Sequence, residues 1–396
     1  MKFFLNILIW TLLSLPATAQ EVLSAESKVS LITVAPGEEL YSGFGHSAYR
    51  VVDPKLGFDK VYNYGTFEFN EDFYGKFIQG KLDYMLTIQA FQDLLDDAIY
   101  EKRSVTEQVL NLSSSQKDSL YKFLEWNALQ ENKYYKYDFF YDNCSSRLRD
   151  VMQGICKGSL TFDNLEERNL SFRQLIDEYL RDKEVQDFGM DIGLGAPSDV
   201  KATPLQYMFL PDHLMNGFAK ATLHRNGKNI PLVGETKVIY ASGHTLKATP
   251  FMQTPFFYLS VLLFIVILVT IKNWNKPATM SLLDSILYII VGLLGCLLVF
   301  LWFFTDHKVT VNNWNLLWAN PLVLFFPILF RIIKNKDLVS KIFIGYGILL
   351  VLELLALPIL PQQFNIAEIP LVLILALRSF YIGKNIEKHD SKPVQA

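Results

Sequence analysis

Gly43-Phe44-Gly45-His46-Ser47-Ala48-Tyr49-Arg50-Val51-Val52-Asp53-Pro54-Lys55-Leu56-Gly57-Phe58-Asp59-Lys60-Val61-Tyr62-Asn63-Tyr64 reads as a β-hairpin with a histidine at its mouth. Residues 46–52 and 60–64 are strand-like, and the Pro- and Gly-containing segment 53–57 supplies the turn. If the turn centres near Leu56, Asn63 falls near His46 and on the same face. A strand holds an imidazole rigidly, as a general base beside a nucleophile requires. The third group that orients it is expected to be Asn63. Asp53, in the turn, is the charged alternative, and Tyr64 and Glu68 are weaker ones.

The partner for His46 lies far along the chain, in Tyr141-Asp142-Asn143-Cys144-Ser145-Ser146-Arg147. Residues 144–155 read as a helix with Asp142 or Asn143 at its cap. A thiol at a helix N-terminus faces unpaired N–H groups and the positive end of the helix dipole, which favour the thiolate. The N–H groups of Cys144 and Ser145 are expected to form an oxyanion hole. Arg147 adds positive potential, and Asn143 and Tyr64 flank the same groups, so all four residues beside the thiol are expected to meet substrate.

Further strands are expected at 29–34 and 82–89, and helices at 90–100, 114–129, 171–183 and 204–221, with an irregular aromatic segment at 134–141. Phe67, Phe69, Phe73, Phe139, Phe140 and Tyr141 are candidates to line an apolar groove. Cys144 and Cys156 lie about 18 Å apart on one helix, at 1.5 Å per residue, which is too far for a disulfide. Cys296 lies in an apolar span, so the thiols are expected to be free.

Residues 1–19 read as a signal peptide: Lys2, an apolar run, then Ala17-Thr18-Ala19. Residues 20–252 form an exported unit. Residues 253–384 hold five apolar spans, near 255–271, 281–304, 316–333, 342–360 and 367–383, and 385–396 a tail. Lys272 and Lys276, then Arg331, Lys334, Lys336 and Lys341, then Lys384 and Lys388 fall on one side of a five-span arrangement. The positive-inside rule puts that side in the cytoplasm and the His46/Cys144 unit in the periplasm. In the extracytoplasmic loop 305–315, His307, Lys308, Asn313 and Asn315 suit a phospholipid headgroup.

A net charge of −3 with no basic stripe gives a nucleic-acid partner no electrostatic support. No HxxxH or CxxC spacing is present, so neither a metal nor another cofactor is expected.

The order His-then-Cys, with an Asn-Cys pair opening the helix, resembles the circularly permuted, papain-like NlpC/P60-like thiol enzymes. More specifically, Leu31-Ile32-Thr33-Val34-Ala35-Pro36-Gly37-Glu38-Glu39-Leu40-Tyr41-Ser42-Gly43-Phe44-Gly45-His46-Ser47-Ala48-Tyr49-Arg50 is similar to the opening of the Lnb-type lipoprotein N-acyltransferase family of Bacteroidetes. Asn63-Tyr64-Gly65-Thr66-Phe67-Glu68-Phe69, the run 142–150, Phe209-Leu210-Pro211-Asp212-His213-Leu214, His307 and Asn313-Trp314-Asn315-Leu316-Leu317-Trp318 extend the similarity.

The resemblance implies an enzyme that takes an acyl chain from a phospholipid and transfers it to the N-terminal amine of a diacylglyceryl lipoprotein, with Cys144 as nucleophile and His46 as base. The expected fold is an α+β permuted papain-like periplasmic domain followed by an all-α membrane domain of about five helices, in the inner membrane. A membrane-anchored cysteine phospholipase or thiol peptidase would use the same dyad with water as acceptor. A non-catalytic receptor or scaffold, with His46 and Cys144 structural, is the other alternative.

Overall fold

A computed structural model describes residues 22–243 and 247–386. The expected signal peptide lies outside the described residues, as does residues 387–396 of the expected tail.

The N-terminal part is built on a seven-stranded sheet. In chain order its elements are β1 (Lys28–Val34), β2 (His46–Asp53), β3 (Phe58–Thr66), α1 (Phe73–Ile78), β4 (Asp83–Ala90), α2 (Phe91–Tyr100), β5 (Val105–Leu110), α3 (Ser114–Asn127), β6 (Tyr134–Lys136) and α4 (Cys144–Cys156). There follow β7 (Leu160–Phe162), α5 (Phe172–Asp177), α6 (Glu184–Gly193), α7 (Pro211–Lys220), β8 (Ala221–Arg225), β9 (Lys228–Pro231) and β10 (Val233–Tyr240). The strand order is β10-β5-β1-β2-β3-β4-β6, with neighbours antiparallel, and β7-β8-β9 form a second small sheet.

The pleat sorts side chains to two faces. Val29, Leu31, Tyr49, Val51, Tyr62 and Tyr64 pack with Leu120, Leu124, Leu148, Met152, Leu214 and Phe218 from α3, α4 and α7. Ile32, Val34, Ala48 and Val61 pack under Phe91, Leu94 and Ala98 of α2. The Tyr49 hydroxyl donates to Leu148 O at 2.7 Å, fixing α4 against β2.

The hairpin register is Tyr49 against Tyr62 and Asp53 against Phe58. Continued to the mouth, it sets Asn63 opposite Ala48, a diagonal same-face neighbour of His46. Asp53 stays in the turn, where its carboxylate accepts from the N–H groups of Ser24, Lys55 and Leu56.

Five strand-forming segments fall outside the sequence expectation: β5, β6, β7, β8–β9 and β10. β5 reads Val-Thr-Glu-Gln-Val-Leu, and its Glu107 and Gln108 are buried as polar residues, so it lacks the apolar alternation that marks a strand. The helix expected at 171–183 shortens to α5, and that at 204–221 to α7 after a 3-10 turn at Gln206–Phe209.

The C-terminal part is helical: α8 (Pro255–Asn273), α9 (Leu282–Phe303), a segment of 3-10 turns leading into α10 (Phe326–Ile332), α11 (Lys336–Ala356) and α12 (Glu368–Asn385). Among the described residues four segments are long and apolar enough to cross a membrane: Pro255–Asn273, Leu282–Phe303, Trp314–Ile332 and Lys336–Ala356. The expected fifth span does form a helix, α12. Glu368, Arg378 and Lys384 make it too polar to stand among those four, and Glu368 and Arg378 turn inward, buried.

Candidate active site

The hairpin mouth and the start of α4 converge at the end of the large sheet. His46 Nε2 lies 3.1 Å from Asn63 Oδ1. With the amide oxygen accepting, Nε2 carries the proton and Nδ1 is left for the thiol. The Cys144 thiol is the other group that acts on the charge of the imidazole. Burial pushes the Cys144 thiol up, but the His46 hydrogen bond and charge, with the Ser47 N–H and Ser145 hydroxyl, outweigh it and hold the thiol below its ordinary value. Burial pulls His46 down, and its bonds to Cys144 and Asn63 carry it above its ordinary value. The two shifts run in the same sense, both favouring transfer of the thiol proton to the imidazole.

Helix α4 starts at Cys144 because Asn143 caps it. Asn143 Oδ1 accepts from the N–H groups of Ser145 and Ser146, both at 2.9 Å, and Ser146 Oγ accepts from Asn143 N–H at 2.8 Å. This changes the oxyanion geometry expected from the sequence. The Ser145 N–H is spent on the cap, and its hydroxyl, fully buried, lies 3.1 Å from Ser47 Oγ and 3.8 Å from Cys144 Sγ. Cys144 N–H, at the first helical position, is the donor left at this end.

The other flanking residues are engaged too. Asn143 Nδ2 donates to Phe139 O and Phe209 O, at 2.9 and 2.8 Å. Arg147 forms a two-pronged pair with Asp142, at 2.8 and 2.6 Å, and lies over the Tyr135 ring. Tyr64 donates to Asn127 Oδ1 at 2.6 Å from a fully buried position. Asn143, Ser145, Arg147 and Tyr64 hold the site's walls.

A cavity of about 120 Å³ opens over the dyad, lined among others by Phe44, Gly65, Tyr137, Phe139, Phe209 and Pro211. Gly65 has φ +84°, a backbone conformation that an L side chain rarely adopts, so the wall favours glycine for its backbone, while a Cβ there would make only ordinary contact with Cys144 Cβ at 3.6 Å. Ser47, Gly65 and Tyr137 escaped the sequence reading. Ser47 acts through its backbone, and Tyr137 sits in a segment read only as irregular.

The loop following α9 packs beside this cavity. Lys308 Nζ is 3.3 Å from Asp138, next to the lining residues Tyr137 and Phe139, and its side chain is exposed. His307 Nε2 is 3.1 Å from Phe77 O. Asn313 and Asn315, expected to face headgroups, are buried instead: Asn313 Nδ2 donates to Ile192 O at 2.7 Å and Asn315 Nδ2 to Ile192 O at 3.1 Å. Their amides satisfy the C-terminal carbonyls of α6 and tie the two parts of the protein together.

All three cysteines are free. Cys156 is buried, which pushes its thiol up to about 11. Asp177, Asp187 and Asp191 bring carboxylate oxygens within 4.8 Å of one another. Burial and the Asp191 charge push Asp177 up to about 8 and Asp187 up to about 7. Asp191 itself is saturated by Arg173 at 2.6 Å and Asn365 at 2.9 Å. This cluster lines a separate cavity that shares no residue with the one over Cys144.

No curated protein and no solved structure matches the chain. Two family models do: the Lnb N-terminal periplasmic domain over residues 16–178 and the Lnb transmembrane domain over residues 247–389. The first covers His46, Asn63 and Cys144, the second the apolar helices and the loop at 305–315. The chain belongs to an Lnb-type family and is a multi-pass membrane protein with an N-terminal periplasmic domain.

Proposed function

We propose that this protein is a lipoprotein N-acyltransferase of the inner membrane, a cysteine enzyme acting from the periplasmic face. The observation that carries the reading is the Cys144–His46–Asn63 array, with a lowered thiol and a raised imidazole, beside a loop that leaves an apolar helix. The domain division proposed is 20–252 for the periplasmic enzyme and 253–384 for the membrane part, with a signal peptide before and a cytoplasmic tail after. A histidine on an early strand and a cysteine opening a later helix also support the permuted papain-like reading of the first domain.

Cys144 thiolate attacks an ester carbonyl of a phospholipid, and Cys144 N–H faces the developing oxyanion. As the ester C–O bond breaks, His46 gives its Nδ1 proton to the departing lysophospholipid oxygen. The thioester then meets the free amine of a diacylglyceryl cysteine. The amine nitrogen forms the amide bond, His46 takes its proton, and Cys144 leaves as thiolate. Asn63 keeps the imidazole pointed at the sulfur throughout. A site against the bilayer limits the competing hydrolysis. Of the remaining candidates, Lys308 is exposed, and meeting a phosphate would mean exchanging its ion pair with Asp138.

The test is the intact mass of the full-length protein after incubation with phospholipid, beside Cys144→Ser. A gain of one acyl mass in the wild type, released by hydroxylamine and absent in the variant, is expected. No adduct with any phospholipid, on a folded protein, would return the weight to a peptidase or a non-catalytic receptor. An adduct that turns over to free fatty acid in the presence of lipoprotein would make it a phospholipase.

A further inference from the structure

The cavity over Cys144 is small: at about 10–15 Å³ for each water admitted, it holds on the order of ten waters. It fits an ester carbonyl and the first carbons of a chain. If a long acyl chain is the substrate, as proposed above, most of it lies elsewhere.

An aromatic ladder leaves the cavity in one direction. Tyr137, in the lining, stacks on Tyr84 at 4.2 Å between ring centres. Tyr84 meets Phe67 at 5.6 Å, Phe67 meets Phe73 at 5.3 Å, and Phe73 meets Phe77 at 5.9 Å. The far end is uncovered: Phe69 is 75% exposed, Tyr74 72% and Phe77 50%. A soluble domain gains nothing by presenting such an apolar cluster to water.

The far end is also where the two parts of the protein meet. Asp306 N–H donates to Gln79 O at 2.9 Å, and His307 Nε2 lies 3.1 Å from Phe77 O. Gly80 is so close to the backbone of Asp306 and His307 that a Cβ there would sit 3.0 Å away. Those residues follow directly on α9, a membrane-length apolar helix that ends in exposed Phe303 and Phe304. So α1 rests at the level where that helix emerges, and aromatic rings at that depth suit a bilayer interface.

We propose that residues 67–78 form a lipid-inserting platform: its exposed aromatic rings dip into the periplasmic leaflet, and the ladder Phe77–Phe73–Phe67–Tyr84–Tyr137 guides the donor's acyl chain from the bilayer to Cys144. The proposal rests on the acyl-transfer reading only for its second half. Lys76 and Lys308 stand at the same level but each is paired with a carboxylate, Asp72 at 3.8 Å and Asp138 at 3.3 Å, so insertion rests on the aromatic rings and not on charge.

Two measurements on the full-length protein, in vesicles of phosphatidylethanolamine and phosphatidylglycerol, test the two halves separately. In the first, the photocrosslinker p-benzoylphenylalanine replaces Phe69, Tyr74 or Phe77 in a Cys144→Ser background. Illumination is expected to add one phospholipid mass at each. At Leu56, exposed but at the far end of the β2–β3 hairpin, no adduct is expected. No adduct at the three positions, or equal adducts at Leu56, overturns the platform.

In the second, Phe69→Ser with Phe77→Ser is compared with the wild type for acylation of Cys144. Vesicle phospholipid and a water-soluble p-nitrophenyl ester serve as donors. Losing two interfacial rings is expected to slow acylation from the vesicle about tenfold or more, and to leave the soluble ester within about twofold. Equal effects on both donors overturn the guiding role. A wild type acylated by neither donor defeats the acyl-transfer reading and the guiding role with it, and leaves insertion to be decided by the crosslinks.

Discussion

At the scale of single residues, the chemistry rests on a balance between burial and partners. Burial alone would raise Cys144 above an ordinary thiol, and the His46 hydrogen bond and charge reverse that. Removing the imidazole therefore does more than remove a base: it leaves burial unopposed. With His46 present, thiolate is expected to form below the ordinary thiol value of about 8.5. In His46→Ala it is expected to form above that value. The check is the pH dependence of iodoacetamide alkylation, read at Cys144 by peptide mapping. Cys156, with its thiol pushed up to about 11, serves as an internal silent control. Identical midpoints in wild type and His46→Ala would mean that the pair does not exist. Asn63→Ala should shift the midpoint in the same direction by less, because it loosens the imidazole and leaves it in place.

At the scale of elements, the capped start of α4 joins two jobs. Asn143 Oδ1 holds the helix N-terminus, while Nδ2 pins Phe139 and Phe209, two walls of the cavity. Asn143→Ala is expected to cost about 1–2 kcal/mol for the cap, plus the carbonyls of Phe139 and Phe209 left without their donor. Asn143→Asp keeps the cap acceptor and loses the pins, so it should fold nearly as well and still acylate more slowly. Thermal unfolding beside acylation rate separates the two. Equal stability losses in both variants would contradict the division of labour.

The same element marks how far the sequence could be read. Hairpin alternation set Asn63 beside His46, and a polar cap set Cys144 at a helix start, since both signals are local; that α4 meets the hairpin mouth is a tertiary contact that neither signal carries. The Ser145 N–H, expected to face an oxyanion, is taken by the cap instead, because the choice of Asn143 over Asp142 decides whether that N–H is free. Asn313 and Asn315 looked like headgroup ligands because sequence does not reveal that α6 ends against them with open carbonyls. Strands such as β5 stayed hidden because their buried faces carry Glu107 and Gln108.

At the scale of the whole molecule, the membrane part is held by the charges that made its last helix hard to classify. An arginine such as Arg378 near the end of an apolar span ordinarily reaches for the membrane edge. Arg378 is instead buried, and pairs with Asp284 of α9 at 2.7 and 2.8 Å and with Thr270 of α8 at 3.0 Å. Its guanidinium also lies 4.6 Å from the Tyr381 ring centre. One side chain thus links three helices and explains how α12 keeps an arginine inside an apolar bundle. Such a pair is costly to desolvate and more costly to break, since removing one partner strands the other charge. Arg378→Met is expected to destabilise the detergent-solubilised protein by about 3–5 kcal/mol, and Asp284→Leu alone by a similar amount. The double variant should regain most of the loss, because neither charge is then left unpaired. Loss of monodispersity on heating measures all three. Additive losses in the double variant would mean that each residue acts through packing and that the ion pair is incidental to the fold.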